Sequence, residues 1–141
     1  MKTILTKIAS ILAFVIGVMA VVAGGKVLLG NDPGYYVINW LPVYNYTIGI
    51  LTIFLTAILI WVNSKFALAV ALGTFSVHAL VMIILQTAYR SVVAPDSIMA
   101  MTIRLFVWGI VLGLMFVQRR KNVEAQASKT PDGLTSLKAV R

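Results

Sequence analysis

FALAVALGTFSVHALVMIILQTAY, residues 66–89, runs for twenty-four residues without a formal charge and carries His78, the chain's one histidine, near its middle. A hydrocarbon core about 30 Å thick takes about 20 apolar residues to cross as a helix, so this stretch reads as a transmembrane span. The next apolar run, SIMAMTIRLFVWGIVLGLMFV at residues 97–117, holds Arg104 about two turns inside its start. A cation at the bilayer centre costs about 2.5–3.5 kcal/mol on insertion scales, so such a residue faces a partner, a cavity or the interface. The remaining segments serve to place this pair.

Composition agrees with that reading. Of the 141 residues, 60% are hydrophobic and 11% charged, which a soluble domain does not carry without large exposed apolar patches. The length makes one domain. The absence of cysteine excludes disulfides, iron–sulfur ligation, thiolate zinc sites and dithiol chemistry, including that of a disulfide-exchanging quinone reductase. A net charge of +8 would point to nucleic acid in a soluble protein, but in a membrane protein the distribution of charge decides, and nucleic acid is not an expected partner.

From the start of the chain, Lys2 and Lys7 precede an uncharged run at residues 8–25, read as helix one within about 5–29. The rival reading, a secretory signal peptide, is disfavoured because the run exceeds the usual apolar core of about 7–15 residues. Ala13, Gly17, Ala20 and Gly24 share a face suited to close helix packing. Asn31-Asp32-Pro33-Gly34 follows, with Pro33 and Gly34 at the second and third positions of a type II turn. The outer loop 31–46 then holds Tyr35, Tyr36, Trp40, Tyr44 and Tyr46, the aromatic residues with polar tips that anchor a chain at headgroup depth. An alternative is that these aromatics, with Asn39 and Asn45, roof a ligand pocket between helices. Asn45-Tyr46-Thr47 also matches a glycosylation sequon, which is discounted so near the membrane.

Helix two is expected at about 44–62, with Thr47, Thr52 and Thr56 bonding back to the preceding turn. The short turn Asn63-Ser64-Lys65 forces helix three, about 66–89, to lie antiparallel beside it. Helix three places Thr74, His78, Met82, Gln86 and Tyr89 on its most polar side. Asp96 or Ser97 caps helix four, about 98–118, where Met101, Arg104, Trp108 and Met115 share a face and Gly109 and Gly113 form a small-xxx-small pair for helix contact. His78 lies twelve residues before Arg90, roughly 18 Å along a helix and so near the midplane, while Arg104 lies about 10 Å below the outer surface. Snorkelling of Arg104 toward Gln86, Asp96 or a lipid phosphate accounts for it without a function; binding an anion, carbonyl or quinone oxygen is the other reading.

Charge sets the expected orientation. Lys2, Lys7, Lys65, Arg119, Arg120, Lys121, Lys129, Lys138 and Arg141 fall on one side, and only Lys26 and Arg90 on the other. The positive-inside rule then puts both termini in the cytoplasm, with a bacterial plasma (inner) membrane as the expected location. Asp32, Arg90 and Asp96 become candidates for ion pairing on the outer face. The expected architecture is all-α: a four-transmembrane-helix antiparallel bundle over 1–118, followed by a basic, disordered cytoplasmic tail at 119–141.

Ala23-Gly24-Gly25-Lys26-Val27-Leu28-Leu29-Gly30 at the end of helix one, followed by three further helices in a chain of this size, resembles the DoxX-like group of small four-helix membrane proteins. The arginine that group often carries early in helix one is absent. The resemblance implies an inner-membrane protein associated with quinone-linked oxidation, or an accessory subunit, and of its residues only Lys26 carries over.

Other small four-helix classes fit less well. Proton-coupled multidrug exporters need a membrane-embedded carboxylate, and all four acids here lie in loops or the tail. Dual-topology fluoride channels need balanced flanking charge. A bis-histidine haem requires a dimer that pairs two copies of His78. No catalytic set and no metal set is legible. Two functions remain in view: a non-enzymatic helical subunit packing through Gly17, Gly24, Gly109 and Gly113 with itself or a larger membrane complex, and a bundle binding a quinone or other small amphipathic ligand among His78, Gln86, Arg104, Trp108, Trp40, Asn39 and Lys26.

Overall fold

The structure, a computed structural model, describes residues 4–128. The described residues are helical, without a strand: α1 is Ile4–Leu28, α2 Leu41–Trp61, α3 Ala67–Thr87 and α4 Pro95–Ala127. Each is long and apolar enough to cross a membrane.

Small residues set the closest approach, between α1 and α2. A Cβ added at Gly24 would lie 2.5 Å from the carbonyl oxygen of Pro42 and 3.1 Å from Cβ of Asn45; one at Gly49 would lie 2.8 Å from the carbonyl oxygen of Gly17. Between lipid-solvated helices there is little hydrophobic drive to associate, so such backbone proximity supplies the dispersion contacts that hold the pair. Near the other end of the pair, Ser10 Oγ donates to the carbonyl oxygen of Ala57 at 2.7 Å. Late α1 thus meets early α2, and early α1 meets late α2.

On α3, and on α4 apart from Leu112, the buried residues follow alternating steps of three and four. On α3 these are Ala67, Ala71, Thr74, His78, Val81 and Leu85; on α4 they are Met101, Arg104, Trp108, Val111, Met115 and Gln118. That spacing is the seam of helices crossing at a shallow angle. Ala9, Ala13, Ile60, Ala71, Trp108 and Val111 belong to one core cluster, and Ile38, Leu41, Val81, Leu85 and Met101 to a second.

Helix α2 contains a π-helical stretch at Thr52–Ala57, which the sequence reading did not anticipate. Thr56, expected to bond back along its own helix, instead meets Thr74 of α3, Oγ1 to Oγ1 at 3.2 Å. Thr74 commits its proton to the carbonyl oxygen of Val70 at 3.0 Å, so Thr56 is the donor of the interhelical bond.

Three boundaries differ from expectation. Helix α2 begins at Leu41 rather than about 44, because Pro42 is tolerated in a first turn where its missing N–H has no partner to lose. Helix α4 begins at Pro95 rather than 98 for the same reason; Ala94 stands at the cap, and Asp96 lies in the first turn without capping it. The same helix runs on through the stretch 119–127 that was expected to be disordered. RRKNVEAQA contains good helix formers and no glycine or proline, so an established helix propagates through it. The rest of the expected tail, from 129, lies outside the described residues, as do Lys2, Lys129, Lys138 and Arg141. In the turn after α1, Gly34 has φ +80°, as the third position of a type II turn requires, and its N–H donates to Asp32 Oδ1 at 2.8 Å.

Candidate functional site

Arg104 is 7% exposed, and its Nη1 donates to Oδ1 of Asn45 at 2.5 Å. Asn45 lies in the second turn of α2, held against α1 where Gly24 leaves room for it. An amide oxygen satisfies one guanidinium donor of five and neutralises no charge. A cavity of about 70 Å³, lined by Arg104, Asn45, Met101, Ser97, Tyr35 and Ala23 among others, brings the remaining donors within reach of a small polar group.

His78, 1% exposed, stands deeper, between two rings. Its ring centroid is 5.9 Å from that of Tyr44 and 6.2 Å from that of Trp108. Nδ1 lies 2.9 Å from the carbonyl oxygen of Thr74, which can only accept, so Nδ1 carries the proton and Nε2 presents a lone pair. Three buried polar atoms of this group, Tyr44 Oη, His78 Nε2 and Trp108 Nε1, have no hydrogen-bond partner among the described residues. Buried polar groups are paired in the great majority of cases, and leaving one unpaired costs about 1–3 kcal/mol. Three in one connected cluster is therefore a departure that calls for a physical account. Arg104 lies within electrostatic range of both Tyr44 and His78. The group presents fixed donors at Trp108 and Arg104, an acceptor at His78, and a hydroxyl able to act either way at Tyr44.

Of the residues singled out in the sequence, His78, Arg104 and Trp108 come together. Trp40 is half-buried and touches the cluster's outer edge, 6.2 Å from Tyr44 and 6.1 Å from Tyr89 in edge-to-face geometry. Gln86 does not join them: it sits eight residues past His78, about 80° around the helix at about 3.6 residues per turn, so it is exposed and donates to Met82 Sδ at 3.9 Å. Asn39 and Lys26 are also exposed, and neither lines the cavity at Arg104. Asp32, Arg90 and Asp96 form no ion pair among the described residues; all three are exposed, and Asp32 spends an oxygen on its own turn.

The glycines divide. Gly17 and Gly24 pack as expected, but Gly109 and Gly113 are exposed, with nothing within 4 Å of an added Cβ. They sit about 100° and 140° around α4 from buried Trp108 and so face away from the other helices. A haem shared by two His78 side chains does not fit either, because Tyr44 and Trp108 enclose the imidazole within its own chain.

Sequence reasoning missed Gly49 and the particular part played by Tyr44. Their positions eight and three residues after Leu41 become meaningful only once the helix start is known, since that fixes which face each residue occupies.

The four apolar helices give this chain the make-up of an integral membrane protein. No family model, curated protein or solved structure matches it.

Proposed function

We propose that the chain is a four-transmembrane-helix antiparallel bundle with both termini in the cytoplasm, and that it holds the polar head of a small amphipathic molecule in its outer half. The observation that carries this reading is the connected set of three unpartnered buried polar atoms on Tyr44, His78 and Trp108, within range of an Arg104 charge that no carboxylate among the described residues balances. A quinone or its quinol suits such a set. A carbonyl oxygen accepts from the guanidinium, the indole N–H or the tyrosine hydroxyl, and a quinol hydroxyl donates to His78 Nε2. The resemblance to the DoxX-like group points the same way. The activity is binding, and no catalytic step is assigned to these residues.

The test is titration of the purified protein in neutral detergent with a short-chain quinone and its quinol, read by quenching of tryptophan fluorescence. Saturable quenching lost in Arg104→Met and in His78→Leu supports the reading. Quenching equal in all three proteins would reject it.

A second reading is favoured by one specific observation: Gly109 and Gly113 leave an open, small-residue strip on the outward side of α4. That strip suits a helix of a second copy or of a larger membrane complex, which makes the chain a packing subunit. Bulky replacement, Gly109→Leu with Gly113→Leu, then dissociates an assembly that the wild type keeps in mild detergent.

A further inference from the structure

At the opposite end of the helices from Arg104 lies a larger polar cavity of about 330 Å³, within the roughly 300–1,000 Å³ of small-molecule sites. It is lined by Thr6 of α1, by Asn63, Ser64 and Lys65 of the α2–α3 turn, and by Gln118, Arg119 and Asn122 of α4, together with apolar residues. No carboxylate of the described residues lines it.

Arg119 makes no hydrogen bond or ion pair with any described residue, and Lys65 rests its ammonium 5.0 Å from the Phe66 ring without an acidic partner. Thr6, 5% exposed, also lines this space, and its hydroxyl has no hydrogen-bond partner among the described residues. Gln118, 4% exposed, is held in place by donating its amide to Asn122 Oδ1 at 3.1 Å. The start of α3 lies on the same side: Ala67 and Leu68 of its first turn line the cavity, while the Phe66 N–H donates to Ser64 Oγ at 3.3 Å and the Ala67 N–H to the Ser64 carbonyl oxygen at 3.0 Å.

Two unbalanced cations and neutral donors, with no acid among the described residues that line the cavity, form a receptor for a multiply charged oxyanion. The geometry points to a site for one phosphate-bearing anion between Lys65 and Arg119, separate from the outer cluster. The shared chemistry is the phosphate group, supplied either by an anionic phospholipid headgroup or by a soluble phosphate. Exposed Trp61 and Phe66, each beneath a lysine ammonium, lie at the same end and mark headgroup depth.

The experiment uses the full-length protein at constant ionic strength, in two arms. One arm follows thermal unfolding in neutral detergent against inorganic phosphate; the other compares phosphatidylglycerol with phosphatidylcholine nanodiscs. Wild type is set beside Lys65→Gln/Arg119→Gln and beside a charge-matched control, Arg120→Gln/Lys121→Gln, whose residues do not line the cavity. The expected result is saturable stabilisation in at least one arm, weakened about tenfold or more by the first pair and less than about twofold by the control. Stabilisation by inorganic phosphate identifies a soluble phosphate as sufficient, and stabilisation by phosphatidylglycerol alone identifies the lipid. Equal weakening by the two pairs, or no stabilisation in either arm, would overturn the proposal.

Discussion

Arg104 and Asn45, fifty-nine positions apart in the chain, meet through a 2.5 Å hydrogen bond from the guanidinium to the amide oxygen. The bond ties α4 to α2 close to the point where Gly24 lets α2 approach α1, so three helices converge on one buried cation.

Breaking that bond from one side should cost more than removing both partners. Asn45→Leu leaves a buried charge without its acceptor, a loss of about 1.5–3 kcal/mol, while Asn45→Leu/Arg104→Met restores most of it. Thermal unfolding of the two single variants and the double in one detergent measures the coupling, and additive losses would contradict it.

Gly24→Ala should destabilise by about 1–3 kcal/mol, because the new methyl meets the Pro42 carbonyl and the Asn45 side chain. Gly113→Ala, with open space around it and a mid-helix position, should leave the monomer as stable or more stable by up to about 1 kcal/mol. The same unfolding measurement separates the two.

The sequence made the four spans legible, since long uncharged runs leave few alternatives, and helical spacing put His78 and Trp108 on faces of two helices that could meet. What it hid depended on helix starts and on drift around the helix. Gln86 looked like a neighbour of His78 because three- and four-residue steps were followed too far in one sense; the alternating seam passes through Val81 and Leu85 instead. Asn45 fell where the aromatic loop 31–46 and the expected helix two overlapped, and its face became legible only with the helix start at Leu41, which puts Pro42 in the first turn. Gly109 and Gly113 carried a packing motif without saying which side of α4 faced inward.

Thr56→Val removes the donor of the α2–α3 hydroxyl bond while keeping shape. Interhelical hydrogen bonds in membranes average about 0.6 kcal/mol, so a modest drop of that order is expected in reversible unfolding. A loss several times larger would mean that Thr56 supports the π-helical stretch as well.

Orientation can be read by labelling, since the chain has no cysteine of its own. Gly34→Cys should react with an impermeant maleimide in intact cells and Ser128→Cys only after permeabilisation. The reverse pattern would invert the proposed topology.

The most direct test of the ligand reading is native mass spectrometry of the protein released from its own membrane in mild detergent, wild type beside Arg104→Met/His78→Leu. The account predicts a discrete small-molecule adduct on the wild type, of the mass of a quinone or a comparable amphipathic molecule, that the double variant lacks. A wild type with no adduct, or an adduct that both proteins retain equally, would contradict it.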